Sequence, residues 1–141
     1  MKYTRDKDIY VIRIDRGEEV IDSLVNFCLE EGIDNAVFSG IGAVSSLSCG
    51  YYNLEEKKYY FSQYETMLEA VSLTGNVALK EGRPFVHVHG VFTGTDNQAF
   101  GGHIEKMTAG VVVEIVLQKL STSIRRELEE DIGLALLTCG E

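Results

Sequence analysis

The chain has 141 residues, a formal net charge of −9 and a sequence pI of about 4.8. Proteins that bind duplex DNA usually carry a basic stripe, whereas the basic pairs Lys57-Lys58 and Arg125-Arg126 are flanked here by acidic residues. Composition therefore disfavours binding to nucleic acid or to an anionic membrane. The length suits one domain over residues 1–141, and an apolar fraction of 45% is ordinary for a globular protein.

The cysteines and the lack of long apolar runs predict a cytoplasmic protein. Cys28, Cys49 and Cys139 are odd in number and form no CxxC pair, which is typical of free thiols in a reducing compartment. The first eight residues are polar and charged, unlike a signal peptide. No apolar run reaches the roughly 18 residues that a membrane helix needs.

The pattern of apolar residues predicts many strands and one clear helix. A strand over Ile9–Asp15 precedes a helix over residues 18–31, which Gly17 opens and Gly32 caps. Further strands are predicted at residues 35–41, 47–52, 59–61, 67–74, 77–79, 84–92, 110–120 and 134–139, the second being the expected neighbour of the first. Between them lie a hairpin turn at 55–58, a turn or bulge at 75–76, a loop at 93–98 and a short helix or loop at 123–131. The expected fold class is α+β, with a mostly antiparallel or mixed β-sheet and one main helix.

All three histidines of the chain lie within 17 residues, and two of them form His87-Val88-His89 on a predicted strand. Residues i and i+2 of a strand point to the same face, so both imidazoles can reach one metal at the usual zinc–nitrogen distance of about 2.0–2.1 Å. His103 follows the loop, and Gly101-Gly102 lets the backbone take angles that are closed to other residues and bring this third imidazole close. Three protein ligands plus water is the arrangement of a catalytic zinc site, although imidazole also suits iron, nickel and copper. The alternative is that these histidines occupy core or subunit-interface positions without a metal.

Two carboxylates are candidate partners of the metal. Glu105 shares the face of His103 if that stretch is extended, and Glu114 lies inside an apolar run of β-branched residues. A carboxylate in such a run needs a partner or a role, and it could orient an imidazole or act as a general base on metal-bound water. Because strand alternation alone does not fix its face, Glu114 could equally face solvent or a neighbouring subunit. Arg125-Arg126 is expected to pair with the acidic residues 127–131 at the surface, with anion binding as the alternative.

Five stretches of the sequence resemble a known family. They are Gly40-Ile41-Gly42-Ala43, Leu73-Thr74-Gly75-Asn76-Val77, Pro84-Phe85-Val86-His87-Val88-His89, Gly101-Gly102-His103 and Val113-Glu114-Ile115. In this order they resemble the PPC domain family (plants and prokaryotes conserved, also called DUF296) of the stand-alone prokaryotic type. The resemblance implies an α+β fold that assembles as a homotrimer, and the three histidines match those of the bacterial pattern. The architecture is also similar to that of acetolactate decarboxylase, which binds zinc through a His-x-His and a later histidine.

The residues and the resemblance leave three functions open. The first is a trimeric metal-binding domain, with zinc as the expected metal and a regulatory or small-molecule-binding role. The second is a metal-dependent lyase or hydrolase that acts on a small carbonyl compound, with Glu105 or Glu114 moving the proton. The third is DNA binding, a label that stand-alone members of the family often carry and that the acidic charge disfavours.

Overall fold

A sheet of nine strands carries one helix in the computed structural model, which describes residues 1–139. The elements are β1 (Lys2–Asp6), β2 (Ile9–Asp15), α1 (Val20–Glu31), β3 (Ala36–Asn53), β4 (Lys58–Tyr64), β5 (Leu68–Lys80), β6 (Arg83–Thr93), β7 (Ala99–Lys119), β8 (Ile124–Glu129) and β9 (Leu134–Cys139). Within these residues every strand pairing is antiparallel except the short parallel pairing of β5 with β8. The predicted α+β class, with a mixed and mostly antiparallel sheet, is confirmed. No helix in this part of the chain has the length and apolar character needed to cross a membrane.

Helix α1 forms where the sequence predicts it, although it begins two residues later than expected. Glu19 caps its N-terminus, since its side chain accepts a hydrogen bond from the Asp22 backbone N–H at 2.6 Å. Gly32 ends the helix in the left-handed conformation at a φ of 61°, as a C-terminal glycine commonly does. The apolar stripe that packs into the core consists of Val20, Leu24, Phe27 and Cys28.

Two pairs of predicted strands are continuous in the structure. The predicted strands at residues 35–41 and 47–52 both fall in β3, which begins at Ala36, so the prediction that they are neighbours in the sheet is wrong. Register shifts along β3 bend the strand without ending it. A bulge leaves a residue unpaired and interrupts the alternation of apolar residues, which is why the sequence pattern shows a gap there.

Strand β5 likewise joins the predicted strands at residues 67–74 and 77–79. Gly75, predicted to lie in a turn or bulge, pairs in register with Phe38 of β3. The irregularity of this strand instead lies between Ala70 and Ser72. Glycine is needed at position 75 because a Cβ there would overlap the Phe38 ring and the His87 carbonyl group.

The remaining differences concern polar strands. Residues 123–131, predicted as a short helix or loop, contain β8, which pairs along its whole length with β9. Strand β1 has no apolar alternation, and all of its residues are exposed, so the sequence pattern did not mark it. Strand β7 starts eleven residues before the predicted strand at 110–120, because its first half is rich in glycine and polar residues. Pairing with strands distant in sequence, rather than local preference, therefore determines that these segments are strands.

Four strands close a circuit around the core. β3 pairs with β5, β5 with β6, β6 with the first half of β7, and β7 along its length with β3. Large apolar side chains fill the inside of this circuit, among them Leu47, Leu73, Phe92, Ile104 and Met107. The opposite side of β2, β7, β3, β5 and β6 faces outward.

We call this outward surface the outer face, defined by its exposed apolar residues Val11, Val37, Ile41, Val91 and Val116. Directly paired residues share a side of the sheet, so the register shows which residues belong together. One row across the outer face contains Val11, Val116, Ser39, Thr74 and His89. The predicted metal ligand His89 therefore lies on the same surface as the exposed valines.

Candidate metal centre

A single hairpin brings the three histidines together. β6 places His87 and His89 two residues apart on one side of the sheet, and β7 places His103 directly opposite His89. The ring centroids are 5.0 Å apart for His87 and His89, 5.1 Å for His87 and His103, and 5.4 Å for His89 and His103. One ring nitrogen of each residue lies within 4.8 Å of the other two. The shared face predicted from the sequence is thus present.

The glycines beside this hairpin allow close packing of three strands. The expectation that Gly101 and Gly102 adopt unusual backbone angles is wrong, because neither has a positive φ. A Cβ on Gly102 would lie 2.5 Å from the carbonyl oxygen of Gly50, and one on Gly101 would overlap the carbonyl group of Gly90. The backbones of β3, β6 and β7 therefore approach too closely for side chains here, and this packing positions His103.

The histidine cluster fits a transition metal. The Nδ1 atom of His103 is buried and has no hydrogen-bond partner among the described residues, an arrangement that is costly for a polar atom and calls for a ligand. Tetrahedral zinc holds its nitrogen ligands about 3.3 Å apart at the usual bond length, and the three ring nitrogens here already lie within 4.8 Å of one another. Because no carboxylate or thiol of residues 1–138 joins the group, three imidazoles would hold the metal and leave a fourth position open.

Electrostatics favour the neutral imidazoles that a metal requires. Burial lowers the pKa of His87 to about 4, and the charge of Arg126 with the two other imidazoles adds to this effect. Burial is also the main cause of a lowered pKa at His103, helped by His89 and Arg126 and opposed by Glu105. Since a metal competes with the proton for the same lone pair, lowered pKa values reduce that competition at neutral pH.

We expect the metal-free protein to lose stability as the pH falls from about 6.5 towards 4. The pKa of His87 is about 4 in the folded chain and 6.5 as its ordinary value, so below 6.5 the unfolded chain takes up the proton first. The contribution of the neutral His87 imidazole to the free energy of unfolding is complete above pH 6.5. It is lost as the pH falls through the folded-state pKa. Urea unfolding of chelator-treated protein between pH 7 and pH 4 measures this dependence, with His87→Gln for comparison. The slope of the free energy of unfolding against pH should decrease in the variant by up to about 1.4 kcal/mol per pH unit. An unchanged slope would show that His87 is not the group responsible.

Arg126 of β8 contacts the cluster from one side. Its Nη2 donates to Asn76 Oδ1 at 2.9 Å and lies 3.0 Å from His87 Nδ1, and its Nη1 donates to the Ala135 carbonyl oxygen at 3.1 Å. A guanidinium group only donates, so His87 Nδ1 is the acceptor in this arrangement. A metal that binds through this nitrogen has to displace the guanidinium group. The sequence placed Arg126 in a surface charge patch and gave no signal that it reaches the histidines.

Aromatic side chains from β4 cover the other side of the cluster. The ring of Tyr59 stacks on His103 with centroids 4.6 Å apart, and Phe61 stacks on Tyr59 at 5.2 Å. Gly50 lies between His103 and Phe61 in the sheet register and provides the space for this stacking. Between these aromatic rings and the β8–β9 hairpin lies a cavity of about 230 Å³, lined in part by His87 and His103.

The two predicted carboxylates lie in different places. Glu105 is close enough to raise the pKa of His103, but its Oε2 accepts a hydrogen bond from Ser48 Oγ at 2.7 Å. Glu114 lies on the outer face between Arg13 of β2 and Ile41 of β3. Three strand spacings of about 4.8 Å each, or about 14 Å, separate its part of β7 from β6. Within one chain the structure therefore does not bring Glu114 to the histidines, and the proton-transfer roles of both residues stay predictions.

Fold and site together define a β-rich domain with a candidate metal centre of three imidazoles beside a small cavity. The model of the Plants and Prokaryotes Conserved (PCC) domain matches residues 1–121. The chain belongs to this family, which confirms the resemblance seen in the sequence. Among curated proteins no match was found.

Solved structures from bacteria and archaea are similar over nearly the whole chain. A plant- and prokaryote-conserved (PPC) protein from Pyrococcus horikoshii is 35% identical, with a TM-score of 0.88, covering 99% of this chain and 95% of its own. A metal-containing protein from Archaeoglobus fulgidus is 33% identical, with a TM-score of 0.86 and coverage of 97% and 96%. A protein from Bacteroides thetaiotaomicron named "putative dna binding protein" is 27% identical, with a TM-score of 0.94 and coverage of 98% and 96%.

The similarity to acetolactate decarboxylase is one of fold. The enzyme from Bacillus subtilis is 14% identical, with a TM-score of 0.58, and the match covers 92% of this chain and 59% of the enzyme. The predicted likeness of architecture is confirmed. A shared fold carries no reaction with it, so the enzyme's activity is not transferred to this chain.

Proposed function

We propose that this chain is a subunit of a trimeric protein that binds one zinc ion per chain through His87, His89 and His103, and a small molecule beside the metal in a regulatory role. The main observation is that one ring nitrogen of each of the three imidazoles lies within 4.8 Å of the other two, and that one imidazole has a buried nitrogen with no hydrogen-bond partner among the described residues. A relative that is 33% identical is described as metal-containing, which supports a metal here. Zinc is proposed because catalytic zinc sites commonly combine three protein ligands with one open position.

The outer face supports the proposed trimer. Its five apolar residues are 41% to 54% exposed in the single chain, and a contiguous exposed apolar surface usually marks an interaction site. His89 lies in the same row as Val11 and Val116 but three strands away from Val116, so a subunit that covers the whole row would also border the metal centre. Free thiols at Cys28 and Cys49 support the proposed location in the reducing cytoplasm.

We expect Ile41→Glu to dissociate the trimer. Ile41 is 54% exposed on the outer face beside Glu114 of β7, so a new carboxylate there would be buried next to like charge in an assembled interface. Light scattering after gel filtration measures the mass. Leu128→Glu is the matched control, because Leu128 is 67% exposed on β8, away from the outer face. A wild-type monomer, or a trimer retained by Ile41→Glu, would refute this assembly.

The metal proposal is tested by elemental analysis of purified, tag-free protein before and after incubation with zinc. About one zinc per chain is expected, and lowering the pH below 5 should release it, because protons then compete for the imidazoles. If neither preparation retains zinc or any other transition metal after dialysis, the proposed function is wrong.

A metal-dependent lyase or hydrolase that acts on a small carbonyl compound is the second candidate. The open coordination position and the adjacent cavity of about 230 Å³ favour it. In this case Glu105→Gln would keep the metal yet remove the turnover, whereas a binding protein would show no turnover to remove. DNA binding, the name given to the Bacteroides relative, finds no support in a net charge of −9.

A further inference from the structure

The cavity beside the histidines has an unusual charge. The chain contains 22 acidic and 13 basic residues, yet among the described residues the lining of this cavity includes Lys80 and Arg126 and no aspartate or glutamate. Both cations contact the ring of Phe85, with Lys80 Nζ 5.3 Å and Arg126 Cζ 5.5 Å from its centroid. Within a strongly acidic chain the site is thus locally positive.

Arg126 is fixed in place by neutral groups and lacks a counter-charge. Asn76 and Ala135 accept its hydrogen bonds, and no carboxylate lies within salt-bridge distance of it in residues 1–139. Its Nε is buried and has no hydrogen-bond partner there. A buried N–H without an acceptor destabilises the folded chain, and a desolvated charge without a partner does so more strongly. A bound anion would provide both the missing acceptor for the Arg126 Nε–H and the missing counter-charge.

The rest of the lining limits what that anion can be. A volume of about 230 Å³ is below the 300–1,000 Å³ typical of pockets for drug-sized ligands, so the ligand has only a few carbon atoms. Leu134 and Leu136 of β9 lie opposite Tyr59 and provide an apolar wall for a short alkyl group. The planar fork of arginine matches a carboxylate as well as a phosphate, but inorganic phosphate has no apolar part to pack against this wall.

We propose that this cavity binds the carboxylate of a small organic acid through Arg126 and Lys80, next to the metal held by the histidines. The inference deepens the proposed function, since it names the chemical class of the small molecule, and its metal part rests on that function. If the metal binds through His87 Nδ1, the guanidinium group of Arg126 leaves that nitrogen and is free to bind the ligand.

Nuclear magnetic resonance titrations of the zinc-incubated full chain test this pocket with propionate and with propionamide, an uncharged molecule of the same shape. Saturable binding of propionate is expected, at least about tenfold tighter than that of propionamide. Arg126→Gln should weaken propionate binding at least about tenfold, the size of a lost charge-assisted hydrogen bond. Arg125→Gln, which changes the exposed neighbour on β8, should leave it within about twofold.

Three results would contradict the proposed binding of a carboxylate in this cavity. They are equal binding of propionate and propionamide, unchanged affinity in Arg126→Gln, and inorganic phosphate that displaces propionate at lower concentration. Lys80→Gln, expected to weaken propionate binding about threefold or more, serves as the second variant if Arg126→Gln fails to fold. Zinc content measured on the same samples separates the proposals. If the protein contains zinc but propionate binding does not depend on Arg126, only the carboxylate-binding cavity is refuted. If propionate binding depends on Arg126 but no zinc is present, only the zinc site is refuted.

Discussion

His89→Ala is expected to abolish metal binding and leave the fold intact. His89 is exposed on β6, so its truncation opens no cavity in the core. Loss of one of three ligands should reduce zinc affinity by more than about 100-fold, since loss of a group that merely orients a ligand costs 10–100-fold. Competition with a chromophoric chelator measures the affinity, and elemental analysis measures the zinc content.

Val91→Ala is the matched control for this variant. Val91 lies two residues further along β6, on the same side of the sheet, and is 41% exposed. The control should keep the full zinc content. Wild-type zinc content in His89→Ala would show that the metal binds elsewhere and would remove the basis of the proposed function.

Gly102→Ala is expected to destabilise the folded protein by about 2–3 kcal/mol or more. The added Cβ would lie 2.5 Å from the carbonyl oxygen of Gly50. Backbone of a paired strand cannot move aside as a flexible side chain can, and overpacking of this kind typically costs about 1–3 kcal/mol. Because residue 102 precedes His103, the same shift should weaken zinc binding. Urea unfolding measures the free energy of unfolding.

Gly94→Ala provides the comparison within the same hairpin. The nearest atom to a Cβ at that loop position is Leu68 Cδ2 at 3.7 Å, an ordinary contact. This variant should stay within about 0.5 kcal/mol of the wild type. Equal stability of the two variants would mean that the close approach of β3 and β7 is not a requirement of the fold.

The histidine site was predictable because its geometry is local. A period of two along a strand sets His87 and His89 on one face whatever the rest of the chain does. Strands β2 and β9 were predicted with the bounds that the structure has, β2 from its regular apolar alternation and β9 from a short apolar run. The family resemblance added the fold class, which local patterns alone left broad.

Arg126 shows why other parts were not predictable. It reaches His87 across 39 residues, through a parallel pairing of β8 with the end of β5 that involves two residue pairs. No local pattern encodes such a pairing, and an arginine next to another arginine in a charged segment resembles an ordinary surface patch. Bulges hid the continuity of β3 for a related reason, since a change of register shifts the side on which each later residue lies. In β5 the turn residues Gly75-Asn76 suggested a break, although Gly75 pairs in register.

The confinement of the three imidazoles to one hairpin affects how the metal alters the folding equilibrium. All three lie within 17 residues, so an unfolded chain can still bring them around one ion at a modest cost in loop closure. A ligand stabilises the native state only by the difference between its affinities for the folded and unfolded chains. The rise in melting temperature on adding zinc will therefore underestimate the affinity of the native site, more so than in proteins whose ligands come from distant segments.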